Sequence, residues 1–201
     1  PAAPPAGDPA LRGDGNSRLV TDRRLAHHAS IVAWHAPSLR AADNPACDLL
    51  TGILGDGESC RLFRALEYDL EIASETGCYL DEGELGSLLV AYAVAQHNRI
   101  SHERLTEALI TAIHEIAEHG VTERELEKAR NRKMTSITHS LQSVSNRAER
   151  LAICATLLHD PGLAFSEAEL YDSVTADDIQ QVARQYLRDT QPNIVEYRAV
   201  R

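Results

Sequence analysis

Two histidines on one predicted helix come closest to the pattern of a zinc-binding site. His114 and His119 flank the four residues Glu115–Glu118, whereas the zinc-binding helix motifs H-E-x-x-H and H-x-x-E-H carry their histidines four residues apart. A spacing of five residues places the two rings about 140° apart around a regular helix, so they cannot bind the same ion. We therefore predict no metal site here. The expected contacts are surface pairs one turn apart, such as His114 with Glu118.

Three more histidines, His27, His28 and His35, lie in or beside a predicted strand. Because side chains alternate between the two faces of a strand, His27 and His35 share a face but lie about 26 Å apart. That distance is too long for both to bind one metal ion. We interpret the three as residues of a strand end or an edge strand.

A glycine-rich segment, Gly52–Ser59, is the remaining candidate for binding chemistry. It lacks the Lys-Ser/Thr ending of a phosphate-binding loop and follows a predicted helix instead of a strand. Its acidic residues Asp56 and Glu58 would also repel a phosphate. We predict a turn between two helices. The chain has no G-x-S-x-G nucleophile motif either, so residue chemistry alone predicts no catalytic residue and no convergent polar cluster.

Four widely spaced cysteines, Cys47, Cys60, Cys78 and Cys154, form no C-x-x-C pair. They therefore provide neither a zinc knuckle nor a thioredoxin-like redox motif. Free cysteines are among the most buried residues, and we predict buried or half-buried free thiols. Their spacing leaves the redox state and the compartment open.

The charge of the chain limits the classes of partner that it can have. Its 201 residues include 20 Lys and Arg and 30 Asp and Glu, for a formal net charge of -10. This charge disfavours binding to nucleic acid, which depends on neutralising phosphates, and binding to an anionic membrane surface. No apolar run reaches the roughly 18 residues of a transmembrane helix. With 43% apolar and 25% charged residues, the composition is that of a globular protein with a full core.

The first 16 residues differ in composition from the rest. The opening PAAPPAGDP holds four of the eight prolines, which is typical of a linker. It lacks the basic start and apolar core of a signal peptide. We expect residues 1–16 to be a linker from a preceding domain, and the chain to be part of a longer one.

Residues 17–201 are predicted to form a single domain. Period-two patterns predict strands and period-three-to-four patterns predict helices. The predicted strands are 18–22, 28–36, 72–80, 85–96 and 193–197. The predicted helices are 44–54, 59–69, 101–119, one starting after Thr122 and interrupted at 143–146, 166–170, and one starting after Thr175. Strands that are interrupted by runs of helices indicate an α+β fold, with a mainly antiparallel sheet and helices packed on one side.

Three segments resemble the pitrilysin/insulinase family of zinc metallopeptidases. Residues 49–66, LLTGILGDGESCRLFRAL, resemble its L-L…G-x-G…S-x-R-L…L segment. Residues 120–130, GVTERELEKAR, and 174–187, VTADDIQQVARQYL, resemble two of its helix starts. The three segments occur in the family's order within residues 18–200, which makes the resemblance specific.

The resemblance implies a fold, a cofactor and partners. Members are built from paired, similar α+β domains whose two halves close like a clamshell around a peptide. The zinc helix, H-x-x-E-H with a distal Glu, belongs to the first domain of the active half, and this chain matches the following, non-zinc domain. The resemblance therefore implies zinc in the intact enzyme but not in this segment. The implied partners are the N-terminal zinc-bearing domain, a second half or subunit, and a peptide.

One departure from the family pattern concerns substrate binding. In the substrate-binding half of such enzymes, an Arg and a Tyr seven residues apart follow the S-R-L…L helix. The corresponding positions here hold Glu67 and Ser74. We therefore assign no substrate-binding role to either residue.

The main hypothesis is that the chain is the non-catalytic second domain of a pitrilysin-type zinc metalloendopeptidase, forming part of the peptide-enclosing chamber and the partner interface. The alternative is a structural or assembly subunit that kept the fold without peptidase activity. A third reading, an unrelated α+β binding module, requires the three matches to be coincidental. Compact bacterial relatives are often exported, which favours the periplasm over the cytoplasm.

Overall fold

Residues 15–200 are described by a computed structural model, so the predicted linker lies almost wholly outside the described residues. Five strands form one sheet in the order β1-β5-β2-β4-β3. The strands are β1 (Ser17–Asp22), β2 (Ala29–Ala36), β3 (Ala73–Asp81), β4 (Ser87–Ala95) and β5 (Asn193–Ala199). β2 pairs antiparallel with β4 and β5, and β3 pairs antiparallel with β4. Only β1 and β5, at one side of the sheet, run parallel.

Seven helices complete the described part of the chain. They are α1 (Asn44–Gly55), the π-helical α2 (Phe63–Asp69), α3 (His102–His119), α4 (Glu123–Gln142), α5 (Val144–Thr156), α6 (Leu163–Asp172) and α7 (Ala176–Val182), which continues as a π-helical segment, Ala183–Arg188. The predicted interruption at 143–146 is confirmed, since Ser143 ends α4 and its side chain caps α5.

Local capping chemistry explains where several helices begin. Thr122 accepts a hydrogen bond from the backbone N–H of Glu125, and the Glu125 side chain accepts one from the backbone of Thr122, a capping box. Thr175 and Asp178 form the same arrangement at the start of α7. Each pair satisfies two N–H groups that a helix start leaves without a partner, which is why these starts were visible in the sequence.

The core lies between one face of the sheet and the helices α1, α3 and α7. Alternate residues of β2 point into it, and Val32 and Trp34 are 0% exposed. β4 contributes Leu89 and Ala91, which stand opposite Trp34 and Val32 in the register. Small residues on this side of β4 let the helices approach the sheet closely. We call the side of the sheet against which the helices pack the covered face.

The predicted fold class, α+β with a mainly antiparallel sheet and helices on one side, is confirmed. Two details differ from the sequence-based expectation. The connection between β3 and β4 is longer than the predicted strands 72–80 and 85–96 imply, since β4 begins only at Ser87. The second predicted helix, 59–69, is π-helical from Phe63 onward, closed by a bond from the N–H of Leu70 to the carbonyl of Ala65.

Candidate functional site

The sheet presents its second face without a helix over it in the part of the chain that the structure describes. The strand register puts one set of apolar side chains on this side. This open face consists of Ile31, Ala33, Tyr79, Leu88, Val90, Tyr92, Val94, Val195 and Tyr197. Most are half-buried by their neighbours alone, and Tyr79 is 51% exposed. An apolar and aromatic surface of this kind can accept the side chains of an extended peptide.

A tyrosine–glutamate pair orders one side of the open face. The Tyr92 hydroxyl donates a hydrogen bond to Glu75 Oε1 at 3.1 Å. Burial and this bond to a carboxylate both raise the pKa of Tyr92. The ring lies across Gly77, where a Cβ would come within 2.5 Å of Tyr92 Cε1. The glycine therefore lets the tyrosine cross β3 and reach Glu75.

Glu67 and Ser74, at the positions where the family carries Arg and Tyr, lie where α2 meets the start of β3. Thr76 Oγ1 donates a hydrogen bond to Glu67 Oε1 at 2.6 Å. The Ser74 hydroxyl lies 3.4 Å from the carbonyl oxygen of Ala95, across a bulge in the β3–β4 pairing. Both side chains contact their own domain, and the absence of a substrate-binding role stays a prediction.

The histidines of α3 do not make the predicted surface pair. His114 is half-buried, and its Nε2 lies 3.2 Å from the carbonyl oxygen of Leu187. Glu118 instead pairs with Arg188, with Oε1 3.1 Å from Nη1. The prediction of a His114–Glu118 pair is wrong, because packing of α3 against the end of α7 supplies partners that the helix alone does not reveal.

The N-terminal histidines lie at the ends of β2, as predicted. His27 and His28 precede the strand and His35 is its penultimate residue. His28 Nδ1 accepts a hydrogen bond from the backbone N–H of Ala199 at 3.1 Å. Its ring packs edge-on against His102, with 6.0 Å between ring centroids. These contacts make His28 a structural residue at the junction of β2, β5 and α3.

A buried polar network at this junction overturns the expectation that no polar cluster converges. Ser30 Oγ and Thr106 Oγ1 are 2.8 Å apart, and Thr106 donates to Glu196 Oε1 at 2.8 Å. His102 Nδ1 lies 3.4 Å from Glu196 Oε2, and an Arg198 nitrogen lies 3.1 Å from His102 Nε2. The network joins the start of α3 to β2 and β5 beneath the helices. Ser30, His102 and Thr106 are buried, and the groups of the network bind one another, so we interpret it as a network that stabilises the fold.

The sequence signal for this network was present but ambiguous. Ser30 and Glu196 occupy strand positions whose neighbours in the register also face the core. A polar residue at such a position indicates a partner inside the protein. The partners, His102 and Thr106, lie more than 70 residues away in sequence from Ser30, so only the assembled fold identifies them.

A second polar cluster joins three helices. The Tyr171 hydroxyl donates to Asp48 Oδ2 at 2.8 Å, and Lys133 Nζ lies 2.5 Å from the same oxygen. Lys133 also lies 5.1 Å from the centroid of the Tyr171 ring. Burial and the Asp48 carboxylate raise the pKa of Tyr171 well above its usual range. The three side chains hold α1, α4 and α6 together.

The glycine-rich segment Gly52–Ser59 connects α1 to the residues before α2, as the prediction of a helix-to-helix turn requires. Arg132 Nη1 donates to the carbonyl oxygen of Asp56 at 2.7 Å. The Arg132 side chain on α4 therefore stabilises the turn.

All four cysteines are free and buried, as predicted. Burial raises the pKa of Cys47, Cys60 and Cys78, which keeps these thiols protonated and poorly nucleophilic. Across residues 15–200, no group of three His, Cys, Asp or Glu side chains could hold a metal ion. In the same range, no helix combines the length and the apolar character needed to cross a bilayer.

Comparisons with known proteins agree with this architecture. Residues 3–133 match the family described as the peptidase M16 inactive domain. The zinc protease PqqE of Helicobacter pylori is 23% identical over 164 residues, which are 82% of this chain and 36% of that protein. The chain thus spans about a third of the length of this relative.

Two solved structures show the same fold. A protease from Helicobacter pylori superposes with a TM-score of 0.83 at 21% identity, covering 93% of this chain and 45% of that one. An inactive peptidase domain from Bordetella parapertussis superposes with a TM-score of 0.77 at 24% identity, covering 90% of this chain and 98% of that one. The second match covers nearly the whole of that domain. From the family match over residues 3–133 and this shared architecture, the chain belongs to the peptidase M16 inactive-domain family.

Proposed function

We propose that this chain is the non-catalytic second domain of a pitrilysin-type zinc metalloendopeptidase and that its open face forms part of the chamber wall around the peptide. The observation that carries the proposal is the contrast between the covered face, with Trp34 at 0% exposure, and the open face, with Tyr79 at 51%. A sheet that leaves one apolar face without a helix has a surface suited to another protein segment.

The chemistry of peptide cleavage lies outside this segment in our proposal. The described residues contain no side-chain group that fits zinc, and the buried thiols have raised pKa values unsuited to nucleophilic attack. The metal would be held by a preceding N-terminal domain of the same chain. The role of this domain is to enclose and position the peptide, together with a second half or subunit.

The alternative is a structural or assembly subunit that kept the fold without peptidase activity, and the departure at two family positions is compatible with it. Glu67 and Ser74 replace the Arg and Tyr expected of a substrate-binding half, and Glu67 accepts a hydrogen bond from Thr76. A carboxylate at this point cannot donate to a peptide carbonyl as a guanidinium does. The same departure is also expected of the second domain of a zinc-bearing half. It therefore does not separate the two hypotheses, and we rank the structural subunit second.

The two hypotheses are tested by measuring the metal content and the peptide cleavage of the full-length protein, with and without a chelator. Zinc near one per chain and chelator-sensitive cleavage support the protease. No zinc and no cleavage would contradict it and leave a substrate-binding partner half or a structural subunit. Glu67 and Ser74, in place of the family's Arg and Tyr, would then favour the structural subunit.

The chamber role is tested by Tyr79→Ser on the open face, with Phe165→Ser on α6 as the matched control, since Phe165 is 66% exposed elsewhere. We expect roughly a tenfold loss of kcat/KM for Tyr79→Ser, equivalent to about 1.4 kcal/mol, and no change for the control. Equal effects of the two substitutions would overturn the chamber role while leaving the protease assignment intact.

A further inference from the structure

A basic groove runs along the outer side of α4, away from the open face. Arg124, Lys128, Arg132 and His139 follow one another at spacings of four, four and seven residues, which keeps them on one side of the helix. They line an open groove of about 620 Å³. The four basic side chains therefore form one continuous surface along the groove and are not scattered charges.

The cations of the groove have no carboxylate partner among the described residues. Arg132 donates to the carbonyl oxygen of Asp56, and Lys128 contacts the hydroxyl of Ser59. Neutral oxygens of this kind position a cation without cancelling its charge.

Two cations beside the groove, in contrast, are paired with carboxylates. Arg61 Nε lies 2.7 Å from Glu125 Oε1, and Lys133 Nζ lies 2.5 Å from Asp48 Oδ2. The same helix, α4, thus carries Lys133 neutralised on its inner side and three unneutralised cations on its outer side. The groove keeps its positive charge in a chain whose formal net charge is -10.

We infer that the basic groove binds an acidic segment of a protein partner, one that presents carboxylates about one helical turn apart. Charge complementarity of this kind steers a partner and selects its register. The stretch from Arg124 to His139 is about 22 Å long at 1.5 Å per residue, which matches about four helical turns or a short extended segment. This inference does not depend on the proposed function, because it uses neither the open face nor peptide cleavage.

Other polyanions fit the groove less well. The carboxylate of Glu127 lies within the groove lining and repels an unbroken row of phosphates, but a peptide can place a Lys or a neutral residue against it. Asn131 and Thr135, also in the lining, provide neutral groups that can bond to peptide amides. The negative charge of the rest of the chain further repels long nucleic acids and anionic membranes.

The test is fluorescence anisotropy of the full chain with a labelled 12-residue peptide that carries Glu at positions 1, 5 and 9, against the same peptide with Gln. We expect the Glu peptide to bind at least tenfold more tightly at low salt, and the difference to shrink as salt rises. Arg124→Glu combined with Lys128→Glu should weaken Glu-peptide binding at least tenfold. The control is Arg99→Glu combined with Arg147→Glu, at exposed sites on other elements, and it should change binding less than twofold.

Three outcomes would overturn the inference. They are equal binding of the Glu and Gln peptides, equal effects of the two charge-reversed pairs, and tighter binding of a single-stranded oligonucleotide or of anionic vesicles than of the Glu peptide at the same salt. Thermal unfolding of each variant, together with the milder Arg124→Gln and Lys128→Gln changes, separates lost binding from lost folding.

Discussion

The two faces of the sheet are built from the same strands but differ in how deeply their side chains are buried. On the covered face, Trp34 and Val32 of β2 are 0% exposed beneath the helices. On the open face, Ile31 and Ala33 of the same strand are only half-buried. A period-two strand distributes apolar residues to both sides, and here only one side has a helical layer in the described residues.

The difference separates stability from binding. Residues of the covered face are close-packed, so a change in their volume is felt as a loss of folding free energy. Exposed residues of the open face, such as Tyr79 at 51% exposure, should lose little stability when they are changed, because water already reaches them. Under the proposed chamber role, substitutions on the open face should therefore affect peptide cleavage by the full-length protein more than folding.

The largest effect is expected for Trp34→Ala on the covered face. Trp34 is among the largest fully buried side chains, and its loss leaves a cavity between β2 and the helices. We expect a loss of about 3–5 kcal/mol in the free energy of unfolding, measured by urea denaturation of the chain. A loss below about 1 kcal/mol would contradict the packing described for this face.

Gly55 and Gly77 allow a direct comparison of how tightly the two faces of the sheet are packed. A Cβ on Gly55, at the end of α1, would lie 2.3 Å from the backbone N of Cys78, whereas one on Gly77 would meet the ring of Tyr92 at 2.5 Å. Backbone cannot move aside, but the Tyr92 ring can rotate away over the open face. We expect Gly55→Ala to cost about 2–3 kcal/mol and Gly77→Ala less than about 1 kcal/mol, by the same denaturation measurement. Equal losses would show that the open face is as tightly constrained as the covered one.

A pH effect of intermediate size is expected on the helix side of the molecule. The hydrogen bond from Arg61 lowers the pKa of Glu125 from 4.5 to about 2. Because the folded-state pKa lies below the unfolded value, the stabilisation is present above pH 4.5 and is lost as the pH falls toward 2. We expect Glu125→Gln to cost about 1 kcal/mol at pH 7, since water reaches both side chains.

The measurement for Glu125 is the unfolding free energy of wild type and Glu125→Gln between pH 2 and pH 7. The difference between the two proteins should shrink as the pH falls. Glu127→Gln is the control, because Glu127 is exposed on the same helix and is not in a described ion pair. A difference that stayed constant down to pH 2 would contradict the role of the Arg61 contact.

The smallest stability effect is expected for Tyr79→Ser on the open face. Tyr79 is 51% exposed and lies on β3, at the edge of the sheet. We expect a loss below about 0.5 kcal/mol in the isolated chain, whereas the proposed chamber role predicts a lower kcat/KM of the full-length protein for the same change. A large loss of folding stability would mean that the open face belongs to the core.

Much of the fold could be predicted from local chemistry. Thr122 with Glu125 and Thr175 with its downstream Asp178 define helix starts within a few residues of chain, and the alternation in β4 indicates a strand packed on at least one side. The longer β3–β4 turn and the π-helical geometry from Phe63 were not predicted, since both depend on how α2 and the hairpin meet the rest of the domain.

The candidate sites were less predictable than the fold. The pair of His114 with Glu118 follows from helix spacing but loses to contacts with Leu187 and Arg188 from a distant helix. The network around His102 was not foreseen, because its members come from three elements that are far apart in the sequence.

Residue periodicity, capping and short motifs are local, so they were enough to predict most element types, several helix starts, the class of fold and the resemblance to a family. Only the packed domain shows which face of the sheet the helices cover, which polar groups neutralise one another, and which cations of α4 have no carboxylate partner among residues 15–200. These properties depend on distances between residues separated by long stretches of chain. Local patterns specify a helix or a strand, but only packing selects the partner of each side chain.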